Sequence, residues 1–408
     1  MELKEKAITI IKKLVKEGYV AYFAGGYVRD LLMGHPSSDI DIATDAPPEK
    51  ILDLFSHTIP VGLAFGVIVV VVEGHAFEVS TFRKDISYLN GRSPESIELS
   101  SPREDAIRRD FTINGLFYDP LEDSIYDYVG GREDIQKGII RAIGDPGERF
   151  LEDKLRMIRA VRFSARFGFF IDPVTEEGIR ENAESLFPAV AMERIAQEFN
   201  KMKDSGRFLQ SIIEMHRLSL LEVVFPDLKG VHLTDIKELA KSFDRFPKEV
   251  PAIIYLMELF PKFQLEDFLD LCVYLKLSTA EAKLVEFHYH YRNLILNCEK
   301  MDKVDLVYFY AHAFSLASLQ IAAAHMEKKQ GDLFLEKHQK KIQKLLPHIL
   351  RIQNKTPLIN GAILKQHGIL EGKKMGILLK EAERFSIEHD LHEPIALLEV
   401  LKKSKNWM

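Results

Sequence analysis

The chain has 408 residues, 46% of them hydrophobic and 28% charged, with a net charge of −6. That length calls for two to four structural units rather than one core, and the composition is ordinary for a globular protein. The acidic balance excludes a globally basic nucleic-acid binder, so any such surface is a local patch. Two cysteines, Cys272 and Cys298, argue against a disulfide framework and for a reducing cytoplasm. The charged opening Met-Glu-Leu-Lys-Glu-Lys does not read as a signal peptide, and the longest apolar run, Val67 to Val72, is far too short to span a bilayer. No membrane is expected as a partner.

Ala7 to Lys16 has helical spacing and stops at Gly18, a natural C-cap. A β-prone run from Val20 to Ala24 then delivers Gly25 and Gly26, a short helical segment carries Arg29 and Asp30, and a second strand presents Asp39 and Asp41. Two residues without side chains at a helix start let the backbone approach a phosphate. Two carboxylates two positions apart on a strand share a face and form the hard oxygen pair that suits Mg²⁺. Pro47-Pro48-Glu49 opens a helix, and Ile68 to Val72 is a buried strand. A hairpin turn at Glu73-Gly74-His75 leads into a strand from Ala76 to Phe82, whose polar face carries Glu78 as a third carboxylate. An isolated Asp-x-Asp is usually a solvated strand end, and an isolated Arg-Asp a surface ion pair. The glycine turn, Arg29 and Glu78 together raise this stretch to a candidate site for a metal-bound triphosphate.

Residues 83–107 read as a long polar loop. Arg108-Arg109-Asp110-Phe111-Thr112-Ile113-Asn114 follows, and up to about Pro146 the pattern mixes helix and strand. Beyond Pro146 helical periodicity takes over, which places the main boundary there. Phe150 to Phe167 reads as one long helix with Asp153, Arg156, Arg159, Arg162 and Arg166 along one stripe and Leu155, Ile158, Val161, Phe163 and Phe167 opposite. Such a stripe is usually a solvated basic face. A firmly held Asp beside an Arg is also a hydrogen-bond template: Asp accepts from an exocyclic amino group and Arg donates to the adjacent ring nitrogen. Cytosine and adenine satisfy both groups, whereas uracil and guanine leave them unpaired. Residues 205–345 read as amphipathic helices. Residues 357–385 resemble a small appended module in which Gly372-Lys373-Lys374 opens a helix, either as an RNA-phosphate contact or as ordinary surface lysines.

Gly25-Gly26-x-Val28-Arg29-Asp30, Asp39-x-Asp41, Arg108 to Asn114, Glu152-Asp153-x-x-Arg156 and Glu193-Arg194-x-x-x-Glu198-Phe199 occur in this order. As a set, covering roughly the first half of the chain, they resemble the class II tRNA nucleotidyltransferases, the CCA-adding enzymes that share ancestry with bacterial poly(A) polymerases. The resemblance implies an α+β fold: a nucleotidyltransferase head of the DNA polymerase β type over 1–146, a helical neck over 147–204, a helical body over 205–275 and a helical tail over 276–408. By it, Asp39 and Asp41 hold Mg²⁺ with Glu78 as the third catalytic carboxylate. Gly25, Gly26, Arg29, Arg109, Asp110 and Asn114 serve the triphosphate and sugar. Asp153 and Arg156 read the base, with Arg159 and Arg162 in support, and Lys373 and Lys374 are candidate tRNA contacts.

The implied activity is addition of CCA, or its terminal A, to tRNA from CTP and ATP, with no role for DNA. Asp85-x-x-Tyr88 and Arg92-x-Pro94 resemble the flexible loop of CCA- and A-adding members, although Asn90 and Ser93 depart from it. Gly62-Leu63-Ala64-Phe65-Gly66 lacks the basic pair that poly(A) polymerases of the family carry, which favours a tRNA enzyme. The alternatives are an A-adding enzyme, a poly(A) polymerase, and a non-catalytic RNA-binding protein.

Overall fold

The computed structural model describes residues 2–35, 37, 39–86 and 96–407. Tyr88, Asn90, Arg92, Ser93 and Pro94 lie outside the described residues. Two compact units are present, Met1–Glu238 and Leu239–Met408.

In the first unit, helix α1 (Leu3–Lys16) precedes strand β1 (Ala21–Ala24), helix α2 (Gly26–Leu32), strand β2 (Asp41–Thr44) and helix α3 (Pro48–Leu54). Strands β3 (Thr58–Gly62), β4 (Val67–Val72) and β5 (His75–Thr81) follow, with Glu73 and Gly74 both at positive φ in the β4–β5 turn. A separate ribbon pairs β6 (Arg83–Ile86) with β7 (Ser96–Leu99), and helix α4 (Pro102–Ile107) comes next. The segment read as a polar loop therefore carries two strands and a helix. Its helix is set by a capping box between Ser101 and Glu104 with Pro102 in the first turn. Strands β8 (Leu116–Asp119) and β9 (Ser124–Asp127) complete a seven-stranded sheet of order β3-β4-β5-β2-β1-β8-β9, in which β2 and β5 run parallel and all other neighbours antiparallel.

The sheet is packed on one side by Ile10, Ile11 and Leu14 of α1, Val28 of α2 and Ile51 of α3, against Phe23, Ile42, Ile68, Val70, Phe77 and Val79. Helix α5 (Gly131–Lys137) closes the strand region. Helices α6 (Pro146–Glu152) and α7 (Leu155–Phe167) follow, a short parallel ribbon pairs β10 (Ile139–Ile140) with β11 (Phe170–Ile171), and helices α8 (Pro173–Asn182), α9 (Leu186–Ala189) and α10 (Met192–Asp204) come after. The single long helix expected over Phe150 to Phe167 is broken. Asp153 has extended backbone (φ −142°, ψ 101°), and its carboxylate accepts the Leu155 N–H at 3.1 Å, which stops one helix and starts the next.

The second unit carries no strand among its described residues. Its larger core gathers Ile295, Val307, Phe309, Leu319, Leu345 and Ile349; a smaller one, with Ile359, Leu364, Leu378, Leu397 and Leu401, takes in part of residues 357–385, read as an appended module, and extends beyond them. Among the described residues no single helix is long and apolar enough to cross a membrane. His288 and His338 are buried here, and burial pushes both imidazoles down to about 4, with a nearby lysine, Lys341, acting in the same direction on His338. An unfolded imidazole takes up its proton near pH 6.5, whereas these resist until about 4. Between those values the unfolded state binds more protons, so stability is full above pH 6.5 and falls as the pH drops towards 4. The single tryptophan, Trp407, packs on the smaller core and reports this unit. Unfolding followed by its fluorescence should show that slope, reduced by about one proton in His338→Gln; an unchanged slope in the variant contradicts the assignment.

Candidate active site

Strand β1 ends at Ala24, which pairs with Asp41, and the chain turns at Gly25 into α2. Because the ladder runs out there, β2 begins at Asp41 and Asp39 precedes it in exposed coil, not on the strand. Glu78 stands on the exposed face of β5, one position before the Val79–Ile42 pair of the parallel ladder. Asp39 and Glu78 both act on Asp41. Burial, aided by the Asp39 and Glu78 charges, pushes the Asp41 carboxyl up to about 6, while Arg109 pulls it the other way. A corner holding three acids, one of them half-buried, is the donor set of a hard divalent cation.

A cavity of about 500 Å³ adjoins this corner. Gly25, Gly26, Arg29, Asp41, Arg109, Asp110, Asn114, Asp153, Arg156, Arg159 and Arg162 all line it, together with Arg83, Arg108 and Phe163. Asp39 and Glu78 flank Asp41 outside the lining. Lys373 and Lys374 are exposed residues of the second unit, at the start of the helix Lys373–Glu388.

Gly25 has φ +64°, and a Cβ there would stand 2.7 Å from an Arg109 guanidinium nitrogen. Its own N–H is spent on Leu116 O at 3.0 Å, so its contribution is the space it leaves and not a free amide. Arg29 is not a surface residue. It is 4% exposed, donates to Asp30 Oδ1 (2.8 Å from Nε) and to Asn114 Oδ1 (2.6 Å), and lies over the Phe167 ring at 4.7 Å. Asn114 in turn donates to Asp110 Oδ1 at 2.9 Å, and the other Asp110 oxygen receives Arg159 Nε at 2.9 Å. Burial would raise the Asp110 carboxyl, yet Arg159 and Asn114 hold it well below the usual carboxylate range.

In the arginine stripe of α7, Arg156 and Arg162 are buried and Arg159 is half-buried, whereas Arg166 is exposed. Arg156 donates to Glu152 at 2.7 Å and to the carbonyls of Arg149 and Arg108, each at 3.1 Å. Arg162 donates to Glu198 of α10 at 2.5 Å, a carboxylate 1% exposed. The side chains of Asp153 and Arg156 do not bond to each other, although the Arg156 N–H donates to the Asp153 carbonyl at 3.0 Å; Arg194 of α10 holds the Asp153 carboxylate with contacts of 3.0 and 3.3 Å. Phe163, expected on the apolar face, lies among the guanidiniums instead, 4.1 Å from Arg162 and 5.3 Å from Arg159. Asp105 went unrecognised in the sequence: 1% exposed, it clamps Arg108 at 2.7 Å through one oxygen and Arg109 at 3.0 Å through the other. Its i,i+3 and i,i+4 spacing to the two arginines was the available signal.

Models of known families match in three stretches. That of the poly A polymerase head domain matches residues 21–141, a further polymerase A model 168–231, and that of tRNA nucleotidyltransferase domain 2 matches 250–401. The CCA-adding enzyme of Lacticaseibacillus paracasei is 36% identical over 290 residues, 69% of this chain and 71% of that one. The enzyme of Geobacillus stearothermophilus is 44% identical over 227 residues, 55% of each chain. Against several curated relatives of this kind the chain spans about half of their length. A solved Bacillus stearothermophilus CCA-adding enzyme in complex with CTP superposes with a TM-score of 0.80 at 29% identity, covering 98% of both chains. The chain belongs to the CCA-adding enzyme family of tRNA nucleotidyltransferases.

Removing the Asp110 charge tests the network that lines this cavity. Asp110→Asn leaves the Arg159 guanidinium without its counter-charge and should cost about 3 kcal/mol of first-unit stability in denaturant unfolding. A cost below about 1 kcal/mol contradicts a buried, charge-paired Asp110.

Proposed function

We propose that this chain is a template-independent nucleotidyltransferase that adds CCA, or its terminal A, to tRNA 3′ ends from CTP and ATP. One observation carries the reading: Asp41 and the Asp153–Arg156 pair line the same cavity, so an acid corner for phosphoryl transfer and a base-reading pair face one nucleotide. The tRNA 3′-hydroxyl attacks the α-phosphate and pyrophosphate leaves.

Asp39 and Asp41 are the residues that would hold Mg²⁺, with Glu78 beside them. The ion supplies activation of the attacking hydroxyl and neutralisation of the triphosphate. Arg29, Arg109 and the space above Gly25 and Gly26 receive the triphosphate; Asp110 and Asn114 keep Arg29 and Arg159 in place. Asp153, oriented by Arg194, accepts from the exocyclic amine of C or A, and Arg156, oriented by Glu152, donates to the ring nitrogen. Arg162, anchored on Glu198, supports the nucleotide from the same helix. The second unit, with Lys373 and Lys374, is the tRNA-holding part, and the reaction is cytoplasmic.

The product distinguishes the readings. α-Labelled CTP and ATP are supplied separately to tRNAs ending before CCA, after C and after CC. Incorporation of C on the first two and of A on the third is expected. Incorporation of A alone, on the CC end only, overturns full CCA addition in favour of A-addition, and robust tailing of unstructured RNA overturns it in favour of poly(A) synthesis.

A further inference from the structure

A group of metal-ligating side chains lies in the second unit and plays no part in the site described above. His348 is fully buried in the helix Lys328–Gln353. Asp390 and His392 occupy the link between the helices Lys373–Glu388 and Pro394–Leu401. One nitrogen of each histidine and one oxygen of Asp390 all fall within 4.8 Å of one another. His348 Nε2 stands 2.9 Å from Asp390 Oδ1, and His392 Nε2 stands 3.9 Å from the same oxygen. Donors bound tetrahedrally at zinc distances are roughly 3.3–3.4 Å apart, so these separations bracket the value an ion would set.

We propose that His348, Asp390 and His392 form a binding site for a borderline transition-metal dication of the zinc type, with solvent completing the coordination. Two imidazoles and one carboxylate are the donor set of an open zinc site, distinct from the all-oxygen corner around Asp41. Asp390 follows the C-cap His389 with φ +56°, a position where glycine is the usual residue. Asp390 also stands just past the negative end of that helix. A cation beside the carboxylate offsets both costs. Lys303 Nζ is 2.8 Å from Oδ1, the oxygen that also meets His348, while Oδ2 takes no hydrogen bond among the described residues. A metal therefore competes with one lysine and has a free carboxylate oxygen. His348 Nδ1 is buried without a partner, so no neighbouring donor bars a proton from it while Nε2 takes the metal. Lack of an outer hydrogen bond on that nitrogen places the affinity below that of a fully buttressed site. The ion would tie together residues 42 apart in sequence and so brace the C-terminal helices.

Zinc uptake by the full chain is measured by equilibrium dialysis, with Mg²⁺ in excess to occupy the acid corner of the first unit. One zinc per chain is expected, with affinity reduced about tenfold or more in Asp390→Asn and in His392→Gln. Both side chains are exposed, so these variants keep the fold. Lys303→Met removes the competing cation and should tighten binding. Zinc should raise the Tm reported by Trp407 in the wild type and leave it unmoved in His392→Gln. Absence of zinc uptake by the wild type, equal uptake by wild type and His392→Gln, or an unchanged affinity in Lys303→Met overturns the proposal.

Discussion

The first unit depends on one buried carboxylate. Asp110 ties its own segment, through Asn114 and Arg29, to helix α2, and it binds Arg159 directly on α7. Burying a carboxylate costs several kcal/mol unless its lone pairs are matched, and here every near contact is a donor. The Phe111 N–H at 2.8 Å, the Asn114 amide and the Arg159 fork fill its two oxygens. The same arrangement links α7 to α2, and Arg156, Arg159 and Arg162 of α7 line the cavity. Arg149 adds two hydrogen bonds to the carbonyls of Ile107 and Arg109, so the segment is held from both sides.

That constraint explains how one cavity can divide its labour. In the proposed reading the acids of the Asp41 corner and the glycine turn serve the triphosphate end. The groups proposed to discriminate bases are Asp153 and Arg156, and their side chains are held by different partners. Arg194 holds the first and Glu152 the second. An Asp–Arg pair that bonded internally would satisfy itself and offer nothing to a nucleotide. Each is instead steadied by a third residue, and both line the cavity.

Much of this was legible in the sequence because it is local. The β1–Gly25–α2 turn, the hairpin at Glu73-Gly74 and the polar face carrying Glu78 follow from glycine positions and period-two alternation over a few residues. The failures share a different origin. The helix break at Asp153 has no glycine or proline to announce it; it comes from the carboxylate capping Leu155 and from Arg194, 41 residues on. A solvated face stayed open as an alternative for the arginine stripe because its counter-charges, Asp110 and Glu198, are 49 and 36 residues away. Phe163 belonged by periodicity to an apolar face, but its ring meets three guanidiniums, of Arg29, Arg159 and Arg162. Asp105 was hidden because the segment around it read as loop, although its spacing to Arg108 and Arg109 is that of a helix face.

Separation of chemistry from selection is the central claim, and the Asp153→Ala variant tests it most directly. Incorporation of each of the four nucleoside triphosphates onto a tRNA lacking its 3′ end is compared between variant and wild type. The account predicts that UTP or GTP gains relative to CTP and ATP, since the acceptor that penalises the wrong base is gone. Continued rejection of UTP and GTP, with use of CTP and ATP merely slowed, would contradict it.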